Sequence, residues 1–168
     1  MFDPQKTVHL ADYQPFSHVV DSVELPFRLA PEATRVLARL SIRRNPAQPW
    51  PQALWLDGEG LTLLSCEIGG VAVAAKVTES GLSIPAEVLP NGTFVLETEV
   101  EINPKANTAM EGLYMSKGMY CTQCEAEGFR RITYYPDRPD VMSRFKVRIE
   151  NDAPVLLSNG SPTAQGPG

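Results

Sequence analysis

Two carboxylates with mostly uncharged neighbours are the strongest candidates in this sequence for acid–base chemistry or for binding an amine. Glu125 and Glu127 lie in a stretch rich in Gly, Tyr, Met and Cys that shows neither the two-residue period of a strand nor the 3.6-residue period of a helix. The two side chains share a face if the backbone there is extended. They could equally form structural ion pairs with Arg130 or Arg131, a few residues later. The spacing alone leaves both interpretations open.

Cys121 and Cys124 form a single C-x-x-C motif, a pattern found in zinc sites and in redox proteins. A zinc site would need two more ligands, and the two histidines, His9 and His18, lie far upstream with a spacing that matches no local zinc motif. A redox motif would begin a helix in a β-α-β unit, and no such unit is predicted here. We therefore expect buried structural thiols. The odd total of three cysteines also argues against a disulfide framework.

Other catalytic signatures are absent from the sequence. It contains no Gly-x-Ser-x-Gly elbow, no Gly-rich phosphate loop and no His-Glu-x-x-His zinc helix. A net charge of -5 with interspersed signs favours neither nucleic acid nor an anionic membrane as a partner. No apolar run approaches the roughly 18 residues of a membrane-spanning helix, and the polar residues 1–6 lack the pattern of a signal peptide. We expect a cytoplasmic chain that binds no metal ion and catalyses no reaction by itself.

Alternation of apolar and polar residues predicts an all-β fold. Residues 22–29 and 35–43 alternate on either side of a Pro-containing loop, which predicts a hairpin. Turn sequences separate further predicted strands at 53–56, 61–64, 71–75, 81–84, 94–102 and 145–149. One short helical turn is predicted near 137–144, with Asp137 as its cap and Pro139 in its first turn. The pattern indicates one domain, an antiparallel β-sandwich or saddle-shaped sheet.

Three stretches in the second half of the sequence, 107–114, 121–135 and 137–141, closely resemble bacterial aminopeptidase N, the alanyl aminopeptidase family of gluzincin zinc metallopeptidases. Weaker similarity extends through 104–106 and 156–166, whereas the first half agrees mainly in its strand pattern. The resemblance implies that residues 1–168 are a truncated amino-terminal β domain of a multidomain aminopeptidase. It also implies that the catalytic zinc domain is not part of this chain.

In the aminopeptidase N family this domain packs over a thermolysin-like catalytic domain, and a Gln-x-Glu element reaches into the active site. Gln123 and Glu125 match that element. The resemblance therefore assigns Glu125 to the α-ammonium group of a peptide substrate with a free amino terminus, and Gln123 to the pocket for its first side chain. It places zinc in the parent enzyme, on ligands outside this chain.

Two other functions remain open on the sequence. One is a stand-alone β-sandwich binding module, in which residues 123–127 are a packed loop whose carboxylates pair with arginines. The other is a redox or zinc-knuckle protein that uses Cys121 and Cys124. Because the family's domain has further strands after the Ser-Asn-Gly turn at 158–160, we also expect an unpaired sheet edge or apolar patch that favours self-association.

Overall fold

The computed structural model describes residues 9–166 and confirms the all-β class. Its strands are β1 (His18–Arg28), β2 (Thr34–Arg44), β3 (Leu54–Asp57), β4 (Thr62–Ile68), β5 (Val71–Ala72), β6 (Lys76–Thr78), β7 (Gly81–Ile84), β8 (Phe94–Ile102), β9 (Gly112–Ser116), β10 (Met119–Gln123) and β11 (Arg144–Glu150). The helical segments of the described residues are three 3-10 turns, Leu10–Asp12, Ala86–Val88 and Phe129–Arg131. Within residues 9–166, no helix has the length and apolar character needed to span a bilayer.

The strands form three sheets. A six-stranded sheet has the order β11-β1-β2-β8-β4-β5, a three-stranded sheet has the order β3-β7-β6, and β9 and β10 form a separate hairpin. The strand pairs are antiparallel apart from β1 and β11, which run parallel with Ser22 opposite Arg144. The predicted antiparallel sheet is therefore mixed at this edge. A parallel neighbour requires a long connection, and residues 29–143, which include β2 to β10, separate β1 from β11.

One hydrophobic core lies between the six-stranded and three-stranded sheets. The central strands β2 and β8 bury alternate residues, as their sequence pattern predicts. Fully buried side chains come from both sheets: Val23, Val36, Leu40, Ile42, Leu96 and Val100 from the larger, and Leu54, Leu56, Leu82 and Ile84 from the smaller. Full burial of such a side chain contributes about 1.5–3 kcal/mol, so this core holds the sheets together.

The short turn predicted near 137–144 is present as a single hydrogen-bonded turn, in which the amide of Val141 donates to the carbonyl of Arg138 at 3.1 Å, and it does not extend into a helix. Asp137 does not cap a helix. Its carboxylate instead accepts a hydrogen bond from the backbone amide of Arg130 at 3.0 Å. A tertiary contact thus uses the side chain that the local sequence assigns to a helix end.

His18, the first residue of β1, is buried with an incompletely bonded imidazole. The residue is 2% exposed. Its Nδ1 lies 2.8 Å from Ser17 Oγ, whereas its Nε2 has no hydrogen-bond partner among the described residues. The rings of Phe16 and Trp50 pack against it with centroid separations of 6.1 and 5.8 Å. Burial in this aromatic environment lowers the pKa of His18 below its usual value.

This lowered pKa predicts a pH-dependent loss of stability. As the pH falls below the unfolded histidine pKa of about 6.5, the unfolded chain binds a proton that folded His18 resists, so the free energy of unfolding should decrease. Above that pH the contribution is fully present. We expect His18→Gln to weaken this dependence and the same change at exposed His9 to leave it unchanged. Urea unfolding at pH 7.5 and 5.5 measures it, and an identical pH dependence with and without His18 would contradict the prediction.

Candidate functional site

The residues of the Gln-x-Glu element lie at the open end of the β9–β10 hairpin. Gln123 is the last residue of β10, opposite Gly112 of β9. Residues 123–128, here called the site loop, follow directly. The amide of Gly128 donates to the carbonyl of Cys124 at 3.0 Å, and Gln123 Nε2 donates to the carbonyl of Glu125 at 3.1 Å. These bonds fold the loop back on itself and hold Gln123 next to Glu125.

Two glycines allow this close folding. A Cβ atom on Gly128 would clash with the carbonyl oxygen of Gln123 and lie 2.9 Å from the Cα of Cys124. Gly112 has a φ of +70°, and a Cβ atom there would lie 2.7 Å from Arg131 Cβ. Because backbone atoms crowd Gly128, the surroundings cannot give way to a larger residue. The site loop therefore depends on a close approach that only glycine permits.

Among residues 9–166, the Glu125 carboxylate has no cationic partner, whereas its neighbours are paired. Glu125 is exposed, and none of residues 9–166 places a cation within 4.0 Å of it. Arg130 pairs with Glu127 at 3.4 Å and with Asp137 at 3.2 Å. The guanidinium of Arg131 pairs instead with two other carboxylates, those of Glu59 at 2.8 Å and Glu111 at 3.2 Å. The two carboxylates noted in the sequence thus differ: Glu127 forms an ion pair and Glu125 is left available.

A hydrogen-bonded network supports the site loop from the three-stranded sheet. Asp137 Oδ2 accepts from both the backbone amide and Nε of Arg130, at 3.0 and 3.2 Å. Asp57, the last residue of β3, accepts from the amide of Asp137 at 2.9 Å and from Trp55 Nε1 at 3.0 Å. The Arg130 and Asp137 side chains are each only 16% exposed. Asp57 and Asp137 are 80 residues apart in sequence, and no local spacing signals that they meet.

The expectation that Cys121 and Cys124 are buried structural thiols is wrong. Cys121 is half-buried, Cys124 is exposed, and Cys66 is the buried thiol of the core. Cys121 lies in β10 and Cys124 in the site loop that follows it, and a two-stranded hairpin cannot bury both of its faces. Partial burial of the thiol group and, second, the nearby Asp137 carboxylate raise the pKa of Cys124. Near neutral pH this side chain is therefore a protonated thiol, a poor nucleophile.

The sequence matches the family model described as the Peptidase M1 N-terminal domain over residues 29–167. This chain belongs to the peptidase M1 family. The match confirms the resemblance in the site segment and extends it to most of the first half. The M1 N-terminal domain is thus the all-β architecture described above, with Gln123 and Glu125 at the open end of its hairpin.

Named relatives support the same assignment. Aminopeptidase N of Caulobacter vibrioides is 51% identical, over 98% of this chain and 19% of its own length. Aminopeptidase N of Escherichia coli is 44% identical, over 92% of this chain and 18% of its own length. This M1 N-terminal domain therefore spans about a fifth of these relatives, 19% and 18% respectively.

Solved structures show the same fold. Aminopeptidase A of Legionella pneumophila, solved in complex with aspartic acid, superposes with a TM-score of 0.80 and 34% identity, over 90% of this chain and 18% of that one. An M1 zinc metallopeptidase from Deinococcus radiodurans superposes with a TM-score of 0.66 over 79% of this chain and 32% of that one. At 17% identity, the latter likeness concerns the fold alone.

The described residues of this M1 N-terminal domain do not fit a zinc ion. Within residues 9–166, His, Cys, Asp and Glu side chains form no group of three or more that could hold a metal. His18 is buried between aromatic rings, and His9 is exposed at the other side of the Leu10–Asp12 turn. Structural zinc sites need four ligands and catalytic sites need three with an open position. A zinc ion in a longer polypeptide would therefore need ligands from outside residues 9–166.

Proposed function

We propose that this domain is the amino-terminal part of a longer zinc aminopeptidase that releases amino acids from the amino ends of peptides, and that Glu125 binds the substrate's α-ammonium group. The exposed Glu125 carboxylate, which forms no ion pair with residues 9–166, is the observation that supports this best. The alternative of a packed loop with both carboxylates paired to arginines fits Glu127 but not Glu125. The sequence match to aminopeptidase N relatives supplies the reaction class.

The proposed contact is strong enough to select peptide ends. A carboxylate about 4 Å from an ammonium group gains about 4 kcal/mol at an effective dielectric constant of 20, before desolvation is counted. A peptide carries an α-ammonium group only at its amino terminus, so Glu125 would recognise that end. Since Glu125 has no ion pair with the described residues, none of these contacts has to break before the substrate binds.

Gln123 completes the proposed recognition element. Its Nε2 donates to the carbonyl of Glu125, and its Oε1 can accept a hydrogen bond from a ligand, in addition to the Glu125 carboxylate. We propose that Gln123 lines the pocket for the first side chain of the substrate. Its amide bond to the site loop would also fix the spacing between the pocket and the Glu125 carboxylate.

The exposed edge of the large sheet supports a second part of the proposal, a catalytic domain in the same polypeptide. β11 forms this edge, and its Phe145 and Val147 are 49% and 40% exposed. Met142, Leu156 and Leu157 add further exposed apolar side chains nearby in sequence. We propose that the catalytic domain, which would hold the zinc, covers this surface. Without such cover the same edge would favour self-association. A cytoplasmic location remains a prediction.

The structure of the longer polypeptide with a bound L-amino acid tests the role of Glu125. The expected result is an α-ammonium nitrogen about 2.7–3.2 Å from the Glu125 carboxylate. An ammonium group held by another carboxylate and more than about 4 Å from Glu125 would overturn the proposal.

The domain by itself should lack the metal chemistry. We expect residues 1–168, purified alone, to retain no zinc and to leave amino-acid anilides uncleaved, because the described residues offer no metal-binding group. Elemental analysis of the purified domain measures its zinc content. One zinc per chain, retained through purification, would contradict the prediction.

A further inference from the structure

Asp137 is placed where it determines which carboxylate the Arg130 guanidinium binds. Its Oδ2 accepts two hydrogen bonds from Arg130, and Arg130 Nη2 donates a third to its backbone carbonyl at 3.1 Å. Asp137 is itself fixed by Asp57, through the 2.9 Å bond to its amide. Two guanidinium nitrogens of Arg130, Nε and Nη2, thus bond to acceptors of Asp137, which holds the planar group in one orientation.

Arg130 is directly connected to the site loop. It lies in the 3-10 turn Phe129–Arg131, which begins immediately after Gly128. The amide of Arg131 donates to the carbonyl of Gly128 at 3.1 Å, so turn and loop share this glycine. Arg130 Nη2 also lies 3.4 Å from Glu127 Oε1. The Asp137 carboxylate is near enough to Cys124 to raise the pKa of its thiol. Asp137 and Arg130 therefore contact residues 124–128 and help to hold them in place.

We propose that Asp137 is a positioning residue that keeps the Glu125 carboxylate free by engaging Arg130. This inference rests on the proposed function of Glu125. Without Asp137, a mostly buried guanidinium would lose its main acceptor and would turn toward the carboxylates of the site loop. Glu125 is the one of these that forms no ion pair with the described residues, so Arg130 would compete there with the substrate's ammonium group. Asp137 is not a catalytic residue, since it acts through Arg130 and Gly128.

A double-mutant cycle in the longer polypeptide tests this inference. The variants are Glu125→Gln, Asp137→Asn and their combination, with kcat and KM measured on an alanine anilide. We expect Asp137→Asn to lower kcat/KM about tenfold or more, chiefly by raising KM. In the Glu125→Gln background the same change should have almost no further effect, because the group that it protects is absent. Asp137→Glu, which retains the charge, should recover part of the loss.

Asp140→Asn is the matched control. Asp140 is also a partly buried, arginine-paired carboxylate. Its partners are Arg138 and Tyr13, and neither of them adjoins the site loop as Arg130 does. Its replacement should leave kcat/KM within about threefold of wild type. If Asp137→Asn does not fold, Asp137→Asn combined with Arg130→Gln replaces it. Without a guanidinium to compete for Glu125, kcat/KM should stay within about threefold of wild type, and a tenfold loss would overturn the positioning role.

The outcomes separate the two proposals. Losses that add in the double variant, or an Asp137→Asn enzyme with unchanged kcat/KM, would overturn the positioning role while the proposed function stands. An unchanged Glu125→Gln enzyme would instead overturn the proposed function, and the positioning role with it.

Discussion

Glu125→Gln in the longer polypeptide should lower kcat/KM for an amino-acid anilide by about 10- to 100-fold. The substitution keeps the size of the side chain and removes its charge. Hydrogen bonds to charged groups contribute about 1.5–3 kcal/mol, and each 1.36 kcal/mol corresponds to a factor of ten in rate. The loss should be large because Glu125 forms no ion pair with the described residues that could compensate for the missing contact.

Glu127→Gln is the control for this prediction. Glu127 lies in the same loop and is also exposed, but its carboxylate pairs with Arg130 at 3.4 Å. An exposed ion pair contributes about 0–1 kcal/mol, so kcat/KM should fall by less than about fivefold. Equal losses in the two variants would indicate a general charge effect in place of a specific contact by Glu125.

Gly128→Ala should disrupt the site loop and lower both stability and activity. The φ of Gly128 is -85°, which alanine adopts readily, so the effect should come from the clash of the added methyl group with the backbone of Gln123 and Cys124. Overpacking of this kind costs about 1–3 kcal/mol. We expect the free energy of unfolding of the domain to fall by that amount. We also expect kcat/KM of the longer polypeptide to fall at least as far as in Glu125→Gln.

Gly92→Ala provides the comparison, because an added Cβ atom at Gly92 meets no atom within 4 Å. Its free energy of unfolding should stay within about 0.5 kcal/mol of wild type. Urea unfolding measures both variants. A Gly128→Ala domain as stable as Gly92→Ala, with full activity, would show that the loop does not need this close approach.

The strands that pack one face on the core could be predicted from the sequence. β2 and β8 alternate clearly because each buries every second residue, and β1 does so on either side of an irregularity between Val20 and Ser22. Their partners could be predicted only in part. The turn sequence predicted between 53–56 and 61–64 does not close a hairpin, because β3 pairs with β7 and β4 pairs with β8, in different sheets. A turn signal shows where the chain changes direction, whereas the shared core decides which strands meet.

The residues of the proposed site come from the resemblance, whereas their electrostatic surroundings could not be predicted from the sequence. The resemblance points to Gln123 and Glu125, and in the structure the side-chain amide of Gln123 donates to the backbone carbonyl of Glu125. Spacing alone allowed Arg130 to pair with Glu125. Which carboxylate pairs with Arg130 depends on Asp137, and Asp137 is held by Asp57, which lies 80 residues away in sequence. Contacts between residues so far apart form only when the domain folds, so no local sequence pattern predicts them.

The most direct measurement of the central claim compares an amine with its des-amino analogue as inhibitors of the longer polypeptide. Phenylalaninol and 3-phenylpropan-1-ol differ only in the amino group that Glu125 is proposed to bind. With Glu125 present, the amine should inhibit about 10- to 100-fold more tightly, since a charged hydrogen bond contributes about 1.5–3 kcal/mol. In Glu125→Gln that preference should disappear while inhibition by the alcohol stays the same. A preference for the amine of equal size in both enzymes would contradict the account.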